Sequence, residues 1–461
     1  MDLIQSAQLF RRFWWLFLIL IIIFIPIIFF SFNYLTGGAL RIKAQFTPST
    51  KSGFYVNPPT IVNDFLYIGT SINSSYEPEK DNYFYKLNLN LKKIWNYKLP
   101  EYHEVQGGAA LDSFGNIYFV VTKRHKTKFS SQESDLYSLT NDGHFRWKQR
   151  ISYNNEIFES GPITPAIGVD DTIYISHGKM YAFMSDGTEK WSYPGDGQVF
   201  LGLRSSPIID NFGNIYFTSP EPGDGIQEKT TIKTYKFSAN GNGVPIWETE
   251  LINNDVVLIE GDTNRKIGVL PSSPAFSKSQ NKLYAAIGNT INAVDTVTGI
   301  LLWSYKPDNI SGSFEASPAV DDEDNVYIGT KANEKSTLYA IAADGSGLLW
   351  KNHIGGDLYC SPTLGDNGIL YIGSEYTSNT GTFHAIDLKT GKYIWNINIA
   401  YGLKDFQKTS PAIHKGHAYI GSMHRNIFGP LLKIKIDSEG YLYGAGWPRF
   451  HGGNANNGRI N

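Results

Sequence analysis

The sequence predicts an all-β fold: an eight-bladed β-propeller of four-stranded antiparallel blades, preceded by one N-terminal transmembrane helix. Three observations predict it. A four-strand pattern recurs eight times at intervals of roughly 40–50 residues, the period of propeller blades. A tryptophan recurs at one place in that pattern. One apolar stretch without charge, residues 13–32, stands apart from the rest.

The repeat is clearest at residues 361–395. Four short runs rich in β-branched and aromatic residues begin at Ser361-Pro362, Ile369, Phe383 and Tyr393. Gly365-Asp366-Asn367-Gly368, a polar loop at 373–382 and Asp387-Leu388-Lys389-Thr390-Gly391 separate them. Such runs between turn-forming clusters read as strands joined by hairpins. The unit starts eight times, at Pro59, Ala109, Pro165, Pro207, Pro274, Pro318, Pro362 and Pro411. A four-stranded sheet cannot bury both its faces alone, but a ring of sheets can.

The last strands carry Trp95, Trp147, Trp191, Trp247, Trp303, Trp350 and Trp395, with Trp447 less regularly placed. The remaining two of the 10 Trp, Trp14 and Trp15, lie in the apolar segment, so every other Trp falls in a repeat. Asp295-x-x-Thr298-Gly299 precedes Trp303, and Asp387-x-x-Thr390-Gly391 precedes Trp395. Asp186-Gly187 and Asn141-Asp142-Gly143 precede Trp191 and Trp147 at the same Gly-to-Trp spacing. The Asp and Gly supply a tight turn, and the constant spacing puts each indole at one point of the outermost strand, over the next blade. These seven residues are read as blade-docking groups rather than a ligand cage. Loss of a core Trp typically costs about 3–5 kcal/mol.

Residues 13–32 contain no charge, and Arg11 and Arg12 precede them. About 20 apolar residues span a bilayer core as a helix, and the flanking arginines favour a cytoplasmic N-terminus. The expected organisation is a cytoplasmic tail at 1–12, a signal anchor at 13–32, a linker at 33–52 and the propeller at 53–461. The propeller then lies on the periplasmic or extracellular side of the cytoplasmic membrane. Within the linker, Ala39–Phe46 alternates apolar and polar residues. It is either a strand pairing with the last blade or a solvated tether.

Net charge is −2, which points away from nucleic acid. The single Cys360 excludes an intrachain disulfide and reads as a buried inert thiol. His414, His417 and His424 cannot converge on one metal without a bend, because seven extended residues span about 23 Å. The run Asp321-Asp322-Glu323-Asp324-Asn325 falls in a first hairpin turn. It reads as a solvated turn, since it lacks the regular ligand spacing of a calcium loop.

Ala293–Trp303 and Ala385–Trp395 have the form Ala-x-Asp-x-x-Thr-Gly-x-x-x-Trp. They resemble the tryptophan-docking motif of the PQQ-like, or quinoprotein-type, eight-bladed propellers. Softer copies stand at 340–350 and 182–191, and the resemblance covers residues 53–461. The terminal segment from Trp447 to Arg459 also resembles chain ends in that family. Tyr443, rather than Trp447, has the docking spacing from the last turn. The family contains PQQ- and calcium-dependent dehydrogenases and a non-enzymatic, BamB-like branch. Enzymes of the family place a vicinal disulfide and a floor Trp against the cofactor. One Cys and no spare Trp leave neither here, so the expectation is a non-enzymatic protein without PQQ or calcium. The alternatives are a PQQ- or quinone-dependent dehydrogenase and a propeller that binds surface polysaccharide.

In such a propeller the first and third turns of every blade share one face, and these are short throughout. The second turns and inter-blade links share the other face, and are long and unequal. Variable loops on a rigid scaffold usually carry binding. The expected protein-partner contacts are therefore the basic loop with Lys123, Arg124, Lys126 and Lys128, and the channel-mouth aromatics Phe314 and Phe406.

Overall fold

The computed structural model describes residues 41–459, apart from 49–51, 55, 72–80, 124–132, 152–162, 196–197, 201–204, 224–230, 253–271, 334, 377–379, 400–408 and 423–428. The expected anchor at 13–32 lies outside the described residues. Among the described residues, no helix is long and apolar enough to cross a membrane.

Eight antiparallel blade sheets form the ring. Blade 1 consists of Thr60–Val62, Phe65–Gly69, Tyr83–Asn88 and Lys93–Lys98. Blades 2 to 7 repeat that order. Their innermost strands are Ala110–Leu111, Ala166–Ile167, Ile208–Ile209, Ala275–Phe276, Ala319–Val320 and Thr363–Leu364. Their outermost strands are Phe145–Arg150, Glu189–Tyr193, Pro245–Glu250, Leu301–Tyr305, Leu348–His353 and Tyr393–Ile399.

Blade 8 takes three strands from the C-terminal part, Ala412–His414, His417–Gly421 and Leu431–Lys435. Its fourth and outermost strand is Ile42–Phe46, from the other end of the chain. Ile42 faces Ile434 and Phe46 faces Leu431, antiparallel. Of the two readings of the linker, the strand is the one found. It closes the ring and covers the edge that Leu431–Lys435 would otherwise present, an edge open to pairing with another chain.

The small residue before each inner-strand proline has a structural task. The backbone N–H of Gly108 donates to Thr164 Oγ1, that of Thr164 to Ser206 Oγ, and that of Ser206 to Ser273 Oγ. The N–H of Ser273 donates to Ser317 Oγ, and that of Ser317 to Ser361 Oγ. This belt runs from blade 2 to blade 7 around the axis. All six residues but Gly108 are Ser or Thr, because a proline follows most of them and the strand ladder has not yet begun. The hydroxyl of the neighbouring blade satisfies an N–H that would otherwise be buried without a partner.

Candidate interaction surfaces

The docking tryptophans sit where their spacing places them. Each indole lies on the turn glycine of the next blade: Trp95 on Gly143, Trp147 on Gly187, Trp191 on Gly243, Trp247 on Gly299, Trp303 on Gly345 and Trp350 on Gly391. A Cβ added to Gly299 would come within 2.8 Å of the Trp247 ring, at φ +75. The glycine is thus required twice, for the turn and for the neighbour's indole. At Trp95, Trp147, Trp247 and Trp350 the indole N–H donates to a carbonyl of the same turn, as Trp147 does to Ser185 at 2.9 Å and Trp350 to Leu388 at 2.9 Å, whereas the buried N–H of Trp303 finds no partner among the described residues.

Trp395 meets blade 8 differently. Its N–H donates to Asp437 Oδ2 at 2.7 Å, and the Arg41 guanidinium lies 4.1 Å from its ring centroid. Arg41 pairs in turn with Asp437 at 3.3 Å. The expected cost of Trp loss needs revision, because only Trp191 among the seven is buried and the others are partly exposed or intermediate. Trp191→Ala is expected to cost about 3 kcal/mol or more and Trp303→Ala about 2 kcal/mol, read as urea midpoints. Equal, unshifted midpoints for both would refute the docking role.

The interface between blades 8 and 1 has no tryptophan. Phe46 packs edge-on against Tyr85 at 5.0 Å and also meets Phe54. The turn position that is glycine in blades 2 to 7 is Leu91 here, at φ 58 and buried. Its side chain joins the cluster of Phe54, Tyr85, Ala412, Tyr419 and Leu431 at this interface.

Trp447 is no docking residue of an outer strand. It is fully buried, pairs with Val320 through two backbone hydrogen bonds and packs edge-on against Phe276 at 5.5 Å. Tyr443, despite its docking spacing, is 94 % exposed. Both belong to a tail that follows the last blade and lies against the inner strands. Tail carbonyls accept N–H groups from Ile61, Ile167, Ile209, Val320 and Leu364, in blades 1, 3, 4, 6 and 7. Arg449, fully buried, donates to the carbonyl of Ser410 at 3.3 Å in blade 8. The tail bonds at the first-turn ends of these strands, so it fills the axis on the short-turn side.

The tail also holds His451, buried with its ring nitrogens 2.6 and 2.7 Å from the carbonyls of Asn456 and Pro207. Burial pulls its pKa down, but the two carbonyls oppose that pull, because only the doubly protonated ring can donate to both. Burial dominates at two other histidines, His177 and His384, and pulls them down to about 4 and about 3. Above the ordinary pKa of about 6.5, folded and unfolded chains are both neutral at these sites. Between that value and the folded pKa, only the unfolded chain takes up protons. Stability is therefore expected to fall as pH drops from about 6.5 towards 4, measured as urea midpoints across that range. A flat profile would refute the buried neutral state.

Asp321 corrects the reading of its acidic run as a solvated turn. It is buried, and its carboxylate accepts N–H groups of Glu323 and Asn325, the Asn325 amide and the Tyr327 hydroxyl. Burial raises its pKa. Asp322 and Glu323 are exposed. Among the described residues, no group of three His, Cys, Asp or Glu side chains is arranged to hold a metal. Cys360 is buried, and burial pushes its thiol up to about 12.

The candidate contacts on the long-loop face separate. Arg124, Lys126, Lys128 and Phe406 lie outside the described residues. Lys123 faces Glu133 across its hairpin, 3.8 Å away, which offsets its charge. Phe314 is fully buried against Tyr339 at 6.0 Å and is a packing residue, not an offered contact.

The opposite face presents what spacing alone had not singled out. Phe114 and Phe212, at the tips of the first turns of blades 2 and 4, are 79 % and 89 % exposed. Val169 holds the tip between them in blade 3 and is 79 % exposed. The repeated Asp-x-Phe-Gly-Asn string at 112–116 and 210–214 was the available signal.

Residues 262–397, a stretch holding blades 5, 6 and 7, match the family model described as outer membrane protein assembly factor BamB. The fold resembles BamB from Moraxella catarrhalis at TM-score 0.55 and 14% identity, covering 85% of this chain and 100% of that one. It resembles the Dos1 propeller at TM-score 0.56 and 10% identity, covering 87% and 97% of the two chains. The C-terminal WD40 domain of Sif2 matches at TM-score 0.55 and 11% identity, covering 85% and 99%. No curated protein sequence matches this chain.

Proposed function

We propose that this chain, whose blades are repeats of the PQQ-like propeller family, is a non-catalytic scaffold on which other proteins dock. In this reading the segment 13–32 anchors it in the cytoplasmic membrane, and the propeller stands in the cell envelope outside the cytoplasm. The observation that carries the reading is the filled axis. Propellers and barrels usually hold small ligands at the mouth of the ring. Here the chain's own tail takes that place on one side, bonded to the inner strands of five blades. What remains on that side is a broad rigid face, suited to a macromolecule. The likeness to the family of the outer membrane protein assembly factor BamB supports the same reading.

The test uses the full-length chain. After chemical cross-linking in intact cells, a protein partner in near-stoichiometric yield is expected. Failure to recover one, together with dye reduction after loading with PQQ and calcium, would overturn the scaffold in favour of a dehydrogenase. A reporter fused after Asn461 is expected to be active only in its exported form, and cytoplasmic activity would overturn the orientation.

A further inference from the structure

We propose that the short-turn face over blades 2 to 4 is a docking surface for a protein segment that carries lysine or arginine among apolar side chains. The proposal rests on the scaffold reading and gives it a face and a partner chemistry.

The turns that carry Phe114 and Phe212 are rigid. The buried Asp112 accepts the N–H of Phe114 at 3.0 Å and of Asn116 at 2.8 Å. Its other oxygen accepts the Asn116 amide at 2.8 Å and the Tyr118 hydroxyl at 2.7 Å. Asp210 does the same for Phe212, Asn214 and Tyr216. Blade 2 is tied to blade 3 beside the tip, because Ser113 donates its N–H and hydroxyl to Asp171 at 2.8 and 2.6 Å. Aromatic groups held ready on a fixed backbone lose little entropy on binding, and buried aromatics dominate interface energies.

The fold does not ask for an aromatic residue at these tips. Blade 6 builds the same turn around Asp321, with the same four donors. There the tip position is Glu323, exposed. Two phenylalanines almost wholly in water are therefore placed by something other than the turn. Val169, 79 % exposed, holds the tip of the blade between them, so three adjacent blades each present an apolar tip.

Charge selects the partner. Around the ring, the first and third turns expose ten acidic side chains against five lysines. Within blades 2 to 4 those turns expose Asp142, Asp170 and Asp186, and contain no Lys or Arg. Lys190, from an outer strand, answers Asp170 at 3.2 Å, and Arg146 and Lys86 stand near Asp186 and Asp142, so the acidic excess is that of the ring's face as a whole. A face of this sign repels nucleic acid and an anionic bilayer and attracts a cationic segment.

A photoreactive phenylalanine analogue placed in full-length chains at position 114, 212 or 169 tests this in intact cells. Asn309 and Glu101, exposed in inter-blade links, are the control positions. Cross-links are expected from 114, 212 and 169, to a segment in which Lys or Arg alternates with apolar residues. Phe114→Glu with Phe212→Glu is expected to lower the yield from 169 at least about tenfold. The melting curve should not move, since Glu323 occupies the same frame. A cross-linked segment that is acidic or uncharged, a second copy of this chain, or lipid would each overturn the proposal. Cross-links only from 101 or 309 would overturn it and leave the scaffold standing. No protein adduct from any position would overturn both.

Discussion

Removal of residues 441–461 is expected to unfold the ring or to lower its denaturation midpoint more than any single substitution. The tail is the one element that touches most blades at once. Its carbonyls take N–H groups from inner strands of five blades. Those groups lie deep in the ring, and each left without a partner costs about 1–3 kcal/mol. Trp447 and Arg449, both fully buried, leave with it. Trp447→Ala alone is expected to cost about 3–5 kcal/mol, because the lost indole leaves a cavity against Phe276. Urea denaturation followed by circular dichroism would measure both. A truncated chain as stable as the whole would mean that blade-to-blade contacts suffice and the tail is a passenger.

The second large effect is expected at the glycines beneath the indoles. Gly299→Leu puts a side chain where Trp247 lies, in a backbone conformation at φ +75 that leucine adopts at a cost of about 1–2 kcal/mol. Overpacking adds about 1–3 kcal/mol. Combining it with Trp247→Ala should recover part of the loss, since the indole is the obstacle. Leu91→Gly is the converse. Glycine relieves the strain at φ 58, but the buried leucine is lost. The core term of about 2–5 kcal/mol is the larger, so the variant should be destabilised. If Leu91→Gly is neutral, or if Trp247→Ala brings Gly299→Leu no relief, the complementarity between glycine and indole is not what joins the blades.

These two predictions mark what could be read from spacing. A strand, a hairpin turn and a tryptophan four residues after a glycine are local patterns, and each needs only its own neighbourhood to form. Their eightfold recurrence was enough to name the ring and assign Trp95 through Trp395 to blade docking. The short-turn and long-loop faces follow from strand alternation alone. The exposure of candidate contact residues was not legible in the same way, for a physical reason. Loop length is visible in a sequence, whereas the exposure of Phe114, Phe212 and Phe314 depends on what packs beside them. Phe314 lies in the core, while the two turn phenylalanines stand in solvent.

Eight blades, their order, their docking groups and the apolar segment at 13–32 are thus present in local chemistry, because each rests on residues a few positions apart. Three features arise only when the ring is closed. Ile42–Phe46 becomes the outer strand of blade 8, with a partner some 390 residues away in Leu431–Lys435. Leu91 takes the place of a glycine because the incoming strand brings no indole. The tail leaves the place its spacing suggests and enters the axis, where the inner strands of distant blades converge and offer unpaired N–H groups to whatever segment can reach them all.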